Sequence, residues 1–191
     1  CSGLIVWYDP AFCDNGFSAK VSSEEIPLVF VDACPANSNV DSVTTDNIGG
    51  CHQIVDYLAK LGHQRICYVR TPADRTSLRD RHTGFLRGIV DNGLPMSDTD
   101  IITIGRDLAV EAENLAKKFV DGKVDWTAII ASQDQVAIEI ERAFLAYGLK
   151  IPEDVSLVGY DDIDKAASAT VPLTTVKQDF YKMGKVAAHI I

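Results

Sequence analysis

The sequence predicts an α/β fold built on doubly wound parallel sheets. Short, uniformly apolar runs such as Leu28–Val31 are typical of strands that are buried on both faces. These runs alternate with amphipathic segments of helical period, and such alternation implies right-handed βαβ units. The 191 residues, 47% hydrophobic and 24% charged, have the composition of an ordinary globular protein.

Apolar runs and helical periodicity assign most of the chain to strands and helices. The predicted strands are Gly3–Tyr8, Ile26–Asp32, Arg65–Val69, Ile101–Ile104, Thr127–Ala131 and Val155–Tyr160. The predicted helices begin near Asp46, Ser77, Asp107, Ser132 and Phe180, and the first four end at Gly62, Gly93, Gly122 and Gly148. Ser132 and Gln135 have the spacing of a capping box. The segment Asp9–Glu25, which contains a proline, a glycine and several serines, is expected to be irregular.

Polar residues follow the predicted strands directly. Sheets of this type bind ligands beyond the carboxyl ends of their strands. The residues at those positions are Asp32, the loop Thr71–Arg81, Ser132–Gln133–Asp134 and Asp161–Asp162. The strand ends therefore define a candidate ligand site.

Two charged groups at these positions have more than one interpretation. Arg79 and Arg81, with Asp74 and Asp80, could form a solvated face with local ion pairs. They could instead direct a guanidinium fork at ligand oxygens. The pair Asp161–Asp162 could cap a turn, accept hydrogen bonds from sugar hydroxyls, or bind Mg²⁺. No phosphate-binding GxxxxGK[ST] motif accompanies it, so we expect no catalytic metal.

Composition and the absence of certain motifs argue against nucleic-acid binding, disulfide or zinc sites, a dinucleotide cofactor and hydrolase activity. The net charge of −9 repels phosphates, so we do not expect this segment to bind nucleic acid by itself. The five cysteines are odd in number and lack CxxC spacing, which favours reduced thiols over disulfides or zinc. There is no GxGxxG after a strand and no GxSxG, so we expect neither a dinucleotide cofactor nor a hydrolase. No signal peptide or membrane span is visible.

Three strings then resemble the lactose/galactose-repressor (LacI/GalR) family. They are Leu58-Ala-Lys-Leu-Gly-His-Gln-Arg-Ile66, Ile151-Pro-Glu-Asp-Val-Ser-Leu-Val-Gly-Tyr-Asp-Asp162 and Pro172-Leu-Thr-Thr-Val-Lys-Gln-Asp-Phe180. Their order and separations also match the family. The resemblance implies a two-lobed sensor of the periplasmic-binding-protein type, with an incomplete N-terminal lobe in this chain.

The resemblance also implies a domain division. Residues 1–45 would belong to the partial N-terminal lobe and residues 46–173 to the C-terminal lobe. Residues 174–191 would form a crossover and a helix that returns to the N-terminal lobe. The family carries its helix-turn-helix ahead of the sensor, and no such segment is visible here.

Carried over position by position, the family's ligand contacts fall on seven residues. They are Ser77, Arg81, Gln133, Asp161, Asp32, Thr44 and Phe180. Gln133 stands where many relatives have asparagine, so its contact could be longer or mediated by water. Trp126 replaces the family's usual proline, and we expect it to pack in the core.

The expected function is therefore a cytoplasmic, homodimeric repressor that is not an enzyme and uses no cofactor. A small sugar-like effector, or less readily a nucleobase, would bind in the cleft between the lobes. It would control operator binding by a DNA-binding domain outside this chain. A periplasmic sugar-binding protein of an import system and an α/β enzyme are the alternatives. The full-length N-terminus and turnover assays, respectively, would discriminate them.

Overall fold

The computed structural model describes residues 2–9, 13, 15–35, 38–72, 75–105 and 107–191, which form two compact units. The first unit comprises Cys1–Asn47, Ala73–Asp80 and Asp179–Ile191, and the second comprises Ile48–Pro72 and Arg81–Gln178. The lobe boundaries that were inferred from the family resemblance remain a prediction.

The first unit is built on a three-stranded parallel sheet. Its strands are β1 (Leu4–Trp7), β2 (Leu28–Val31) and β3 (Asp41–Val43), and β2 lies in the middle. The helices α1 (Asn15–Ser23) and α7 (Phe180–Ile190) belong to this unit. Phe30 on the central strand is fully buried, and the ring of Tyr8 meets it edge-on at 5.5 Å.

Helix α1 corrects one sequence prediction, because it lies inside the Asp9–Glu25 segment that was expected to be irregular. Phe17 and Val21, four residues apart, share one face of the helix and pack inward. Most other residues of α1 are small or polar, so the segment has little apolar periodicity. Tertiary packing of this one face stabilises the helix where intrinsic propensity is weak.

The second unit is built on a five-stranded parallel sheet of order β5-β4-β6-β7-β8. The strands are β4 (Ile66–Arg70), β5 (Ile101–Thr103), β6 (Ala128–Ala131), β7 (Ser156–Asp161) and β8 (Thr174–Lys177). The other helices of the chain are α2 (Asn47–Lys60), α3 (Thr76–Asp91), α4 (Leu108–Val120), α5 (Asp134–Ala146) and the short α6 (Asp164–Ala167). The predicted α/β class with parallel sheets is thereby confirmed.

Apolar side chains cover both faces of the five-stranded sheet. On β6, Ile129 packs in a cluster with residues of α4 and α5, and Ile130 packs in a cluster with residues of α2 and α3. Consecutive strand residues point to opposite faces, so a strand covered on both sides must be apolar throughout. The core fixes the strand ends, and with them the polar residues that follow.

The ends of the helices test the capping predictions. Gly62, Gly93, Gly122 and Gly148 follow α2, α3, α4 and α5 and have positive φ angles, which confirms the predicted stops. The start of α5 is different: its N-cap is Gln133, and no side chain caps it. Ser132 is not the cap because its backbone N–H still donates to the carbonyl of Val69, as a continuation of the sheet ladder. Across the described part of the chain, no helix has the length and apolar character that crossing a bilayer requires.

Candidate ligand-binding site

The carboxyl ends of β6 and β7 place the central residues of the candidate site. Asp161 closes β7 with a φ of 125°, and Asp162 follows at 57°. Side chains other than glycine rarely adopt such angles, and residues that do so occur often at functional sites. The backbone therefore turns sharply where the Asp161 carboxylate is presented.

Arg81 reaches this edge from α3 and has three kinds of contact. Its Nη2 lies 3.0 Å from Oδ1 of Asp161, and its Nη1 donates to the carbonyl oxygen of Ser132 at 2.6 Å. The guanidinium carbon lies 3.9 Å from the centre of the Tyr160 ring. Only 2% of the Arg81 side chain is exposed, so these contacts form away from bulk water. They fix the guanidinium plane before any ligand arrives.

Gln178 donates to the same Asp161 carboxylate oxygen that Arg81 contacts. Its Nε2 donates to Oδ1 of Asp161 at 2.7 Å, and its backbone N–H donates to the Asp161 carbonyl at 3.2 Å. Gln178 follows β8, and it is nearly fully buried. The sequence prediction missed this residue, although it lies within the third family-like string.

Gln133 and Asp134 have separate roles at the end of β6. The Gln133 amide lies at the edge, where its Oε1 is 3.4 Å from the hydroxyl of Thr71. Asp134 is fully buried: its Oδ1 accepts from the Thr175 hydroxyl at 2.6 Å, and its Oδ2 accepts from the backbone N–H of Ile163 at 3.0 Å. Asp134 therefore ties the β7–β8 connection to α5, whereas Gln133 remains a candidate contact.

His82, the residue after Arg81, contacts a second arginine, Arg70. The Nη1 of Arg70 is 3.3 Å from Nδ1 of His82, and its Nε donates to the Thr103 hydroxyl at 3.2 Å. Burial, and then the charge of Arg70, lower the pKa of His82 below its usual value of 6.5. The neutral ring accepts from Arg70 at Nδ1 and so carries its proton on Nε2.

The remaining predicted site residues belong to the first unit. Asp32 follows β2, is buried, and has a φ of 70°. Thr44 follows β3 and is exposed, and Ser77 is buried in the first turn of α3. Phe180 begins α7 and packs on Trp7, with ring centres 5.7 Å apart. Trp7 was not predicted as a site residue, although it closes β1.

Arg81, Asp161 and Gln133 thus lie at one edge of the second unit, whereas Asp32, Thr44, Ser77 and Phe180 belong to the first. Of the other charged residues noted in the sequence, Asp80 has its pKa raised by burial, an effect that Arg79 opposes. Asp74 lies outside the described residues. The roles of all seven predicted contacts in binding a ligand remain a proposal.

The cysteines and metal-ligand types add no further chemistry among the described residues. The four described cysteines are free, and Cys1 lies outside the described part of the chain. Burial raises the pKa of Cys51 to about 12, so its thiol is not a reactive thiolate. Within the described ranges, no three His, Cys, Asp or Glu residues are placed to hold a metal ion. Trp126 is buried and its indole N–H donates to Asp100 at 2.7 Å, which confirms that it packs in the core.

The fold and the polar strand ends define a class of protein, namely an α/β domain of the periplasmic-binding-protein type. The family model of the periplasmic binding protein-like domain matches residues 55–191, and the chain belongs to this family. Its relatives are regulators of the LacI/GalR type. The lactose operon repressor of Escherichia coli (strain K12) is 28% identical over 97% of this chain and 50% of its own length.

Two further comparisons agree. The HTH-type transcriptional regulator DegA of Bacillus subtilis is 30% identical over 86% of this chain and 48% of its own length. A structure described as the transcriptional regulator CelR–cellobiose complex is 26% identical, with a TM-score of 0.85 over 99% of this chain and 57% of that one. The chain spans about half the length of the curated relatives it matches. These relatives are named as repressors or regulators, in agreement with the prediction that the chain is not an enzyme.

Proposed function

We propose that this chain is the effector-binding domain of a LacI-type transcriptional repressor and that its ligand is a small sugar or related polyol. The observation that supports this most directly is the Arg81–Asp161 pair at the carboxyl edge of the five-stranded sheet. An arginine supplies N–H donors and a carboxylate supplies acceptors, and a sugar hydroxyl can use both.

Another candidate contact supplies what such a ligand also needs. The amide of Gln133 can donate and accept hydrogen bonds, which suits neighbouring hydroxyl groups. A charged hydrogen bond contributes about 1.5–3 kcal/mol, so a few of them with apolar contacts can support micromolar affinity, about 8 kcal/mol.

Regulation follows from differential binding. An effector that binds one conformation of the domain better than another shifts the equilibrium towards that conformation. We propose that this shift controls operator binding by a part of the protein outside this chain, in a cytoplasmic homodimer. The support is that the relatives are named as repressors and that the chain spans about half their length.

A ligand screen on the full-length protein tests the proposal. Ribose, glucose, sucrose and cellobiose would be compared with hypoxanthine and guanine by thermal shift, and operator binding would then be measured with and without the sugar that binds. A ligand at 100 times its Kd stabilises the folded state by about 2.7 kcal/mol. We expect a sugar to raise the Tm and to change DNA affinity. Stabilisation by nucleobases alone, or no DNA binding by the full-length protein, would contradict the proposal.

A further inference from the structure

A glycine on α2 lies against the ring that supports Arg81. The sequence contains Gly49-Gly50 within a helical pattern, where glycine is unfavourable relative to alanine. A Cβ atom built on Gly50 would approach the Tyr160 hydroxyl oxygen closer than 3.0 Å, and it would lie 3.2 Å from the ring carbon that bears the hydroxyl. The tip of the Tyr160 side chain therefore occupies the space that any other residue at position 50 would need.

The same tyrosine is the surface on which Arg81 rests. The guanidinium carbon is 3.9 Å from the ring centre, and Tyr160 is almost completely buried. Protein interiors are close-packed, so the Tyr160 ring cannot be displaced without moving the side chains around it. The guanidinium that rests on this ring also contacts the Ser132 carbonyl and the Asp161 carboxylate.

Other groups in this region respond to Arg81 as well. The charge of Arg81 lowers the pKa of Cys51, the residue after Gly50, against the stronger effect of burial. Burial raises the pKa of Tyr68, on β4, and the charge of Arg81 opposes this effect. Cys51, Tyr68 and Tyr160 belong to one buried cluster, and Arg81 packs on the Tyr160 ring.

We infer that Gly50 is a positioning residue for the effector site, because its missing side chain makes room for the Tyr160 hydroxyl and so sets the plane of the Arg81 guanidinium. This inference rests on the function proposed above, although Gly50 does not have to touch the ligand. Specificity for hydroxyl oxygens would then depend on a helix residue that is separated from the ligand by one aromatic ring and one guanidinium.

The first test uses Gly50→Ala and a compensating change in the full-length protein. The side-chain N–H resonances of Arg81 in NMR report the geometry of its guanidinium without any ligand. We expect Gly50→Ala to shift these resonances and to weaken binding of cellobiose, used as the probe in titration calorimetry, by about tenfold, the scale of a lost cation–π support. The double variant Gly50→Ala/Tyr160→Phe lacks the hydroxyl that makes the closest contact and keeps only ring contacts of 3.2 Å or more, so both properties should shift back towards wild type.

Two controls separate positioning from general destabilisation. Gly88→Ala on α3 crowds Val55 on α2, and the atoms nearest to its added Cβ all belong to Val55, so it should lower stability and leave the Arg81 resonances unchanged. Tyr160→Leu removes the supporting ring without crowding α2, so it should shift the Arg81 resonances even if Gly50→Ala fails to fold.

The NMR result decides the inference whether or not cellobiose binds. The inference is overturned if folded Gly50→Ala shows Arg81 resonances at their wild-type positions. It is also overturned if the double variant keeps the shifted resonances of Gly50→Ala, or if Tyr160→Leu leaves the Arg81 resonances unchanged. The proposed function fails separately, if Arg81→Ala leaves the affinity for every sugar that binds unchanged.

Discussion

Removing Asp161 should cost more stability than removing Arg81, because the two partners differ in burial. The Arg81 side chain is 2% exposed and the Asp161 side chain is 15% exposed, with 3.0 Å between their charged atoms. Breaking a buried pair from one side costs about 3–5 kcal/mol when the other charge stays buried. In Asp161→Ala the guanidinium retains the Ser132 carbonyl and the Tyr160 ring, so we expect the lower end, about 3 kcal/mol.

Arg81→Met should lower the free energy of unfolding by less than Asp161→Ala does. Methionine fills much of the space of arginine without its charge, and the carboxylate that remains is partly exposed and keeps the Gln178 hydrogen bond. We expect a loss of about 1–2 kcal/mol, mainly from the missing hydrogen bonds. The double variant should lose less than the sum of the two single losses, by about 1–2 kcal/mol, because the pair is lost only once.

Urea unfolding followed by the fluorescence of Trp126 measures these losses in the second unit. The chain has two tryptophans, so all proteins in the cycle would carry Trp7→Phe to silence the probe in the first unit. For a chain of this size, about 3 kcal/mol corresponds to a fall of roughly 6–12 °C in Tm. Equal losses for the two single variants, or losses that add within about 0.5 kcal/mol, would refute the reasoning.

Three smaller predictions address the pH response, a buried hydrogen bond and the glycines. Burial lowers the pKa of His82 in the folded state, so the stability that its neutral ring supports is present above the unfolded pKa of 6.5 and is lost as the pH falls through the lower folded pKa. In urea titrations, His82→Asn should therefore lose less stability than wild type between about pH 7.5 and 5. Identical losses in the two proteins would argue against this linkage. Trp126→Phe leaves the nearly fully buried Asp100 without the indole donor and should cost about 1–2 kcal/mol in urea unfolding, whereas a neutral result would mean that this hydrogen bond contributes nothing. Gly148→Ala introduces a side chain at a φ of 78° and should lower the Tm. Gly184→Ala, in helix α7 where an added Cβ meets no atom within 4 Å, should instead raise stability by about 0.5–1 kcal/mol. A higher Tm for Gly148→Ala than for Gly184→Ala would contradict the backbone argument.

Much of the fold could be predicted because buried strands and amphipathic helices leave local patterns. The six predicted strands agree with the observed ones within about two residues at each end, the usual uncertainty of such boundaries. Two described strands were not among these six. The strand β3 was missed because Asp41-Ser42-Val43 contains only one apolar residue, so sheet pairing with β2 defines it. At β8 the family resemblance implied only a crossover of the chain. Helix α1 was missed because two inward side chains on a mostly polar segment give little periodicity.

The candidate site could be predicted only in part, because its contacts join residues far apart in sequence. The positions at strand ends and the family resemblance both indicated Asp161, and the resemblance selected Arg81 from a segment, Thr71–Arg81, that contains three arginines. Neither indicated that Tyr160 would lie under the guanidinium or that Gln178 would bond the carboxylate. A tyrosine inside an apolar strand and a glutamine after another strand have ordinary local sequences, and only the sheet order β7-β8 brings them together.

The central claim is that the Arg81–Asp161 edge binds a sugar, and one affinity comparison tests it most directly. Titration calorimetry on the full-length protein would compare wild type, Arg81→Lys and Arg87→Lys with the sugar that gives the largest thermal shift. Lysine keeps the charge but cannot reproduce the arginine's planar fork, and Arg87 is exposed on the same helix as a matched control. We predict that Arg81→Lys weakens binding by about tenfold or more, whereas Arg87→Lys leaves the Kd unchanged. Equal, wild-type affinity in all three proteins would contradict the account.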